Sequence, residues 1–435
     1  MSRTDPARLV AFDVLRAVGD NDAYANLELS RLLREHRLGG RDAALATELV
    51  GGTLRLQGSY DDVIDRLVSR ALDPAVRDAL RLGAHQLLSM RVATHAAVAT
   101  TVDLVKERIG HKPSGLVNAV LRKISAQPLE AWLADRPLPA RTSHPQWIVD
   151  ELTEALGRPE EVESMLAADN ERPAVTLVAR PGLCEPAELG SATSTVSPYA
   201  VELESGDPGA VAAVREGRAG VQDAGSQAVA LLLAGAALEG RDERWLDLCA
   251  GPGGKAALLA AIAAQRGARV LAIERQPHRS ALVAQGVRAA GAGVLGVVTG
   301  DGTRPAWAPG TFDRALVDAP CSGLGALRRR PESRWRRSAA DLDALVPLQV
   351  ALLEVALDSV RPGGLVVYAT CSPVVAETAA VVRQVLAGRG DVALLDATGV
   401  LGIDDAGSAH LDGALQLWPH RHGTDAMFAA LLRRT

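Results

Sequence analysis

Two apolar strands that each end in a cysteine constrain this chain more than any other feature. Residues 312–322 read Phe-Asp-Arg-Ala-Leu-Val-Asp-Ala-Pro-Cys-Ser. The first six read as a buried strand, apolar except for Asp313 and Arg314. The chain then presents Asp318, Pro320 and Cys321, and Gly323 and Gly325 open a loop. Residues 364–369 form a second apolar strand that runs into Thr370-Cys371-Ser372-Pro373. In an open parallel sheet the carboxyl edge is where ligands bind. Neighbouring strands lie roughly 4.8 Å apart, so adjacency would turn both thiols to one pocket. An acid beside one cysteine, with a second cysteine across the gap, points to covalent chemistry on an electrophilic ring.

The surrounding pattern supports such a sheet. From Val221 onward, strands alternate with helices, the signature of a parallel α/β core. Strands are expected over 245–249, 269–273, 294–298, 313–317 and 365–369, with helices over 255–266, 277–290 and 342–360. Segments 392–395, 415–418 and 426–432 complete an antiparallel edge. Asp247-Leu248-Cys249-Ala250-Gly251-Pro252-Gly253-Gly254-Lys255 follows the first strand and opens a helix. Glycines there let the backbone turn tightly and approach a ligand. Lys255 is not followed by Ser or Thr, which argues against a phosphate loop, and G-x-G-x-x-G is absent, which weakens a dinucleotide site. Glu274 ends the second strand, where a carboxylate can bind ribose hydroxyls, and Asp301 follows the third, placed for an adenine edge. The glycine loop and two acids in this order predict a nucleoside cofactor without pyrophosphate, S-adenosylmethionine. Its site comprises Cys249, Ala250, Gly251, Pro252, Gly253, Gly254, Lys255, Glu274, Asp301 and Asp318.

The front of the chain reads differently. Helices are expected over 7–18, 27–35, 41–56, 60–68, 74–90, 95–109 and 117–124, with many arginines on their polar faces. Residues 128–145 are rich in Pro, Ala and Arg and read as a linker. Helices over 147–156 and 160–168 and a short strand over 174–179 follow, and 183–220 are mixed.

Composition limits the function classes. Net charge is −5 and aromatics make up 3%, so a non-specific nucleic-acid binder or a broad stacking platform is disfavoured, although local basic patches remain possible. The four cysteines, Cys184, Cys249, Cys321 and Cys371, lack CxxC spacing, so neither a zinc site nor a disulfide framework is expected. His420 and His422 are the one close histidine pair and weak grounds for a metal. No segment has the length of an apolar membrane span, and residues 1–5 show no signal-peptide pattern. A cytoplasmic protein with free thiols is the expectation. The run Arg328-Arg329-Arg330-Pro331-Glu332-Ser333-Arg334-Trp335-Arg336-Arg337 is the strongest basic patch. Arg328, Arg329, Arg330, Arg334, Arg336 and Arg337, with Trp335 among them, are expected to bind RNA phosphates and stack a base.

Several stretches resemble known families. Arg8-Leu9-Val10-Ala11-Phe12-Asp13-Val14-Leu15, Ala25-Asn26-Leu27, Arg41-Asp42, Glu48-Leu49-Val50-Gly51-Gly52-Thr53-Leu54-Arg55 and Val117-Asn118-Ala119-Val120-Leu121-Arg122 resemble the NusB fold, an RNA-binding helical bundle. Asp-Ala-Pro-Cys-Ser, Ala-Thr-Cys-Ser, Val221-Gln222-Asp223-Ala224-Gly225-Ser226-Gln227 and Pro419-His420-Arg421-His422-Gly423-Thr424-Asp425 resemble the bacterial RNA cytosine-C5 methyltransferases. With the NusB-like front, the likeness is to the members acting on small-subunit ribosomal RNA. After Asp425 that family usually shows Gly-Phe-Phe, whereas this chain has Ala426-Met427-Phe428.

The resemblance implies a multidomain chain: an all-α NusB-like bundle over 1–135, a small α+β linker domain over 136–220 and an α/β Rossmann-like methyltransferase core over 221–435. It also implies roles. Cys371 attacks C6 of cytosine, Cys321 assists product release, and Asp318 hydrogen-bonds the N3/N4 edge of the base. A lone cysteine is commonly a small buried hydrophobe; two, each after a strand and before a serine, are harder to explain so. The expected partner is small-subunit ribosomal RNA, bound by a monomer with no membrane and no metal. Transfer RNA as acceptor, or a non-catalytic RNA-binding assembly factor, are the alternatives.

Overall fold

The computed structural model describes residues 4–21, 23–191, 194–204 and 206–435. They form two compact units. One takes Met1–Asp150, Glu163–Arg172 and Leu327–Arg337; the other takes Glu151–Val162, Pro173–Ala326 and Ser338–Thr435. Residues 136–220, read from sequence as a domain of their own, are shared between the two.

The first unit is built on seven helices: α1 (Pro6–Asn21), α2 (Ala25–Glu35), α3 (Gly40–Arg55), α4 (Gln57–Leu67), α5 (Pro74–Leu88), α6 (Thr94–Arg108) and α7 (Ser114–Ile124). In α1 the buried Ala7, Val10, Ala11, Val14, Leu15 and Val18 recur at the spacing of one helical face. Asp73 caps α5 through the Ala75 N–H (2.9 Å), and Pro74 fills the first turn, where no N–H is needed. The segment 128–145 is not a linker. It holds the short helices Leu129–Leu133 and Leu138–Thr142, fixed by Trp132 Nε1 on the Ile124 carbonyl (3.0 Å) and by Ser59 Oγ on the Ala140 carbonyl (2.7 Å). Its prolines start helices rather than loosen the chain.

Leu327–Arg337 also belongs to this unit, although the sequence places it amid the α/β core. Arg334 is fully buried. Its Nη1 donates to the carbonyls of Arg55 (3.0 Å) and Ser143 (2.9 Å) and to Asn170 Oδ1 (2.7 Å), and its Nη2 to the Asp169 carbonyl (3.1 Å). Arg55 ends α3, so one of these is a helix-terminal carbonyl that otherwise lacks an intrahelical donor. Burial pushes Arg334 down to about 10, which leaves it cationic at neutral pH.

In the second unit, β1 (Val175–Ala179), β2 (Ala200–Leu203) and β3 (Ala219–Val221) make a small antiparallel sheet in the order β2-β1-β3. The main sheet contains β4 (Arg244–Asp247), β5 (Arg269–Glu274), β6 (Val294–Thr299), β7 (Phe312–Asp318), β8 (Val360–Thr370), β9 (Val392–Leu395), β10 (Leu415–Gln416) and β11 (Phe428–Arg434). The strands β8-β7-β4-β5-β6 are parallel neighbours in that order. β11 adds antiparallel to β8, and β9 and β10 pair with β11.

Alternation on β7 decides the layers. Leu316 packs with the helices Ala224–Gly235 and Gly254–Gln265, whereas Ala315 and Val317 face Asp341–Ser359 and Ala379–Gly388. The first two and last two of these helices therefore cover opposite faces. Strand order reverses between β4 and β7, and the crevice at their carboxyl ends is where such a sheet takes ligands. Asp313, at the opposite end of β7, fixes the register. It accepts the N–H groups of Glu243 and Arg244 (2.9 Å each) and pairs with Arg241 and Arg361 (2.9 Å each). Burial opposes its charge, but these donors hold it below the usual carboxylate range.

Arg334→Met keeps much of the volume and removes every donor. The buried carbonyls would be left unpaired, and the chain is expected to lose roughly 3 kcal/mol. A lowered urea midpoint checks this; an unchanged midpoint would mean that the segment is not anchored by Arg334.

Candidate active site

β7 and β8 run in register up to Asp318 opposite Ala369, so both chains leave the sheet at one level. Cys321 Sγ and Cys371 Sγ then lie 3.4 Å apart. Gly325 closes the loop beneath them. Its N–H donates to the Cys371 carbonyl (2.9 Å), and its carbonyl accepts the Ala426 N–H (2.8 Å). A Cβ at Gly325 would come within 2.0 Å of the Ala426 oxygen, so only glycine permits this approach. The departure from Gly-Phe-Phe therefore falls where residue 426 acts through its backbone, and the Met427 side chain is buried.

A buried carboxylate that sequence reading missed holds both cysteine loops. Glu377 is fully buried. It accepts the Ser322 N–H (2.8 Å) and the Gln349 amide (3.0 Å) on Oε1, and the Ser322 hydroxyl (2.5 Å) on Oε2. Ser322 Oγ also meets Ser372 Oγ (3.0 Å), and the Gln349 amide reaches the Pro320 carbonyl (2.9 Å). The repeated Cys-Ser pair was the available signal for this link; nothing in the sequence singled out Glu377 or Gln349.

Electrostatics differentiate the two thiols. The hydrogen bond to Cys371 and then burial push Cys321 well above the ordinary thiol range. Cys321 thus favours its protonated form, and either sulfur can donate across the contact. Lys255 Nζ donates to Asp318 Oδ2 at 2.9 Å. Burial opposes the Lys255 ammonium, but Asp318 and Cys371 raise its affinity for the proton above the ordinary value. By reciprocity that ammonium favours the Cys371 thiolate. Cys249 is held well above the thiol range by burial and neighbouring acids, the mark of an inert thiol.

The residues expected for S-adenosylmethionine fit such a group. The carboxyl ends of β4, β5 and β6 bring Asp247, Glu274 and Asp301 along one edge. Asp247, also missed as a ligand although it opens the quoted glycine run, is fully buried, and neither of its oxygens has a hydrogen-bond partner. Burial and then the charge of Asp318 push it up to about 7. A buried acid of this kind calls for a donor, and the ammonium of an amino-acid moiety supplies one. Glu274 Oε1 takes the Gln276 N–H (2.8 Å), while a Cβ at Gly251 would stand 1.9 Å from its Oε2. Glycine thus lets this carboxylate lie against the loop. Asp301 Oδ1 is engaged by its own loop through Thr303 N–H and Oγ1 (3.0 and 2.8 Å).

The arginine run is not one exposed strap. Arg334 and Arg328 are buried, Arg329 and Arg336 half-buried, and Arg330, Arg337 and the edge of Trp335 exposed. Arg336 donates to the Ala23 carbonyl, and the guanidiniums of Arg330 and Arg336 lie over Tyr24, 5.6 and 5.8 Å from the ring centre. The expectation of seven RNA-contacting side chains is therefore corrected for Arg334 and Arg328, which are buried inside the protein. The histidine pair is engaged as well: His420 Nε2 meets Glu161 Oε2 (2.9 Å), and His422 Nδ1 accepts the Trp418 N–H (2.9 Å). Among the described residues no group of three or more His, Cys, Asp or Glu could hold a metal, and no helix is long and apolar enough to cross a membrane.

Glu377→Ala leaves the Ser322 N–H and the Gln349 amide unpaired in a buried site. About 3 kcal/mol of stability should be lost, and Cys321 and Cys371 should react faster with a maleimide. Urea unfolding and thiol-labelling rates check both; native labelling rates would show that Glu377 does not hold the loops.

Comparisons with known proteins agree with this architecture. Residues 236–433 match the family model described as 16S rRNA methyltransferase RsmB/F, and residues 5–126 match the NusB family. A Mycobacterium tuberculosis (strain ATCC 25618 / H37Rv) relative, Rv1407, provisionally named a methyltransferase, is 50% identical over 99% of this chain and 97% of its own. The ribosomal RNA small subunit methyltransferase B of Escherichia coli O6:K15:H31 (strain 536 / UPEC) is 32% identical over 92% of each. The crystal structure of PH0851 aligns over 100% of both chains with a TM-score of 0.80 at 22% identity, a likeness of fold. S-adenosylmethionine is the cofactor expected of such a methyltransferase core. The helical first unit, the doubly wound sheet and relatives that span nearly the whole length lead to one assignment: this chain belongs to the RsmB/F family of 16S rRNA methyltransferases.

Proposed function

We propose that this RNA methyltransferase methylates C5 of a cytidine in small-subunit ribosomal RNA, with Cys371 as the covalent nucleophile. The observation that carries the reading is the thiol pair at 3.4 Å, in a crevice where Cys321 is raised well above the ordinary thiol range and the Lys255 ammonium pairs with Asp318. C5 of cytosine is a weak nucleophile until a thiolate adds to C6, and cysteine both attacks readily and leaves again. S-adenosylmethionine, when bound, supplies the electrophilic methyl group. The backbone of Cys249, Ala250, Gly251, Pro252, Gly253 and Gly254 would cradle it, with Glu274 on the ribose, Asp301 at the adenine edge and Asp247 on the ammonium.

The chain's own residues account for the remaining steps. Asp318, paired with Lys255, accepts the N4 amine on the N3/N4 edge, and the Lys255 ammonium offsets the charge that builds in the ring. Once Cys371 is bound to C6 as a thioether, the hydrogen bond that most raises the Cys321 pKa is gone. Cys321 then becomes more acidic and gives its proton to solvent, which leaves a thiolate at the step that needs a base. It takes the C5 proton, the C5–C6 double bond re-forms, and Cys371 leaves as thiolate. The target base must be unpaired or extruded to enter such a crevice. Arg329, Arg330, Arg336, Arg337 and Trp335 remain the proposed RNA contacts on the run, and the NusB-like unit the targeting element. The protein would act in the cytoplasm as a monomer.

Two mutants test the roles. Cys371→Ser should abolish methyl transfer and form no covalent complex, because a serine hydroxyl supplies no comparable anion at neutral pH. Cys321→Ser should permit attack and methylation but accumulate a denaturant-resistant, cofactor-dependent RNA adduct. A denaturing gel with both mutants decides; an adduct in Cys371→Ser alone would reverse the assignment.

The raised Asp247 pKa makes a second prediction. The folded state binds this proton more tightly than the unfolded chain, so the contribution of Asp247 to stability falls as pH rises from the ordinary carboxylate range to about 7. Above that the acid is ionised and offers the ammonium its partner. S-adenosylmethionine affinity should therefore rise as pH passes through about 7, and Asp247→Asn should flatten this dependence. Calorimetric titration across that range checks it; an unchanged profile in Asp247→Asn would remove this residue from the site.

A further inference from the structure

The first unit contains a cavity of about 360 Å³ that the proposed reaction does not use, within the size range of small-molecule sites. Leu15, Val18 and Leu54 give it an apolar floor, and Glu332 and Trp335 line it from the segment Leu327–Arg337. Two features distinguish it from a packing defect.

The first is Glu332. This side chain is 2% exposed. Its Oε1 accepts the Ala25 N–H at the start of α2 (3.2 Å), but its Oε2 is buried without a hydrogen-bond partner. A lone buried carboxylate oxygen is costly, and buried polar groups ordinarily find donors. Two cations line the same cavity, and neither donates to Oε2: Arg336 donates to the Ala23 carbonyl, and Arg81 is committed to two acids. Its guanidinium donates to both oxygens of Asp61 (2.8 and 2.5 Å) and to Asp78 (2.8 Å).

The second is Trp335. Its six-membered ring packs against Gly58, where a Cβ would come within 2.5 Å of Cη2. The ring is thereby fixed in place, yet 36% of the residue stays exposed. Nearby Tyr24 is half exposed and carries the guanidiniums of Arg330 and Arg336 over its ring. A fixed indole beside arginines is the arrangement that stacks a base while cations meet its phosphates.

We infer that this cavity binds one unpaired guanine of the RNA, stacked on Trp335 and read through its N1–H and N2–H₂ edge by the Glu332 carboxylate. Guanine presents two adjacent donors on one edge, which matches the free Oε2 and the remaining lone pair of Oε1. Uracil has no exocyclic amine, and adenine and cytosine place an acceptor beside theirs. The inference rests on the RNA-substrate reading proposed above and adds a recognition point separate from the methylated cytidine.

The test uses the full chain and three fluorescein-labelled single-stranded probes: oligouridylate, the same strand with one central guanosine, and the same with one central inosine, which lacks the N2 amine. Guanosine should bind about tenfold tighter than uridine alone, the scale of one good bidentate contact, with inosine between them. In Glu332→Gln the amide oxygen can still accept the Ala25 N–H while a donor replaces Oε2, and the guanosine advantage should collapse to none. Equal affinity of the wild-type chain for all three probes, which needs no variant, would overturn the inference; so would a guanosine preference that survives Glu332→Gln. Labelled-methyl transfer to small-subunit RNA separates the two readings. Methylation without guanosine preference sinks the pocket alone, and preference without cytidine methylation sinks the cytidine reading alone.

Discussion

The buried carboxylate of Glu377 is the constraint on which the thiol pair depends. Strand pairing brings β7 and β8 together, but a sheet sets its geometry only as far as the last ladder hydrogen bond. Beyond Ala319 and Thr370 the two loops are free of the ladder, and a thiol pair at 3.4 Å needs another determinant. Glu377 supplies it by gathering the Ser322 N–H, the Ser322 hydroxyl and the Gln349 amide, with Ser372 joined through Ser322. Charge-assisted hydrogen bonds in a dry interior are stronger and more directional than neutral ones. One acid thus fixes the residue after Cys321 and, one bond further, the residue after Cys371.

The same crevice balances several charges in little space. Asp247 and Asp318 face one lysine, Lys255, whose ammonium goes to Asp318, while Glu274 pairs with Arg279 (3.6 Å). Asp247 is left over, and its rise to about 7 is the response of a buried acid with no donor. Neutralising Asp247 instead would ease the folding cost but leave the crevice with no acid poised for an incoming cation. The thiols divide by the same logic. Two adjacent sulfurs do not both ionise, and the Cys321 thiol is held well above the ordinary range by its neighbour and by burial.

Much of this was legible in the sequence, for physical reasons. Buried parallel strands read as apolar runs because both faces are covered, so β4, β5, β7 and β8 stood out, and the residues at their carboxyl ends followed. The α1 face was visible because Ala7, Val10, Ala11, Val14, Leu15 and Val18 keep helical spacing. The misses have equally definite causes. Prolines at 128, 137 and 139 suggested a linker, but proline is also a helix starter, and local composition does not distinguish the two. Glu377 and Gln349 act through tertiary contacts that no periodicity marks. Asp247 lay in plain view at the head of the glycine loop; only its burial without a partner separates it from an ordinary strand-end acid.

The arginine run shows how one composition serves two opposed physical tasks. Dense Arg reads as a solvated phosphate-binding surface because desolvating a guanidinium is costly. That expectation fails where backbone carbonyls are in surplus. The end of α3 and the turns at Ser143 and Asp169 present such carbonyls, and the fork of Arg334 collects them together with the Asn170 side chain. A lysine ammonium, with three donors on a point charge, could not span the same set. Arg330 and Arg337, on the same short segment, stay exposed. Buried and exposed arginines are thus functionally linked through the backbone between them. Arg334 orders the segment, and an ordered segment holds Trp335 and the exposed guanidiniums in fixed places, with little conformational entropy left to lose in any contact they make.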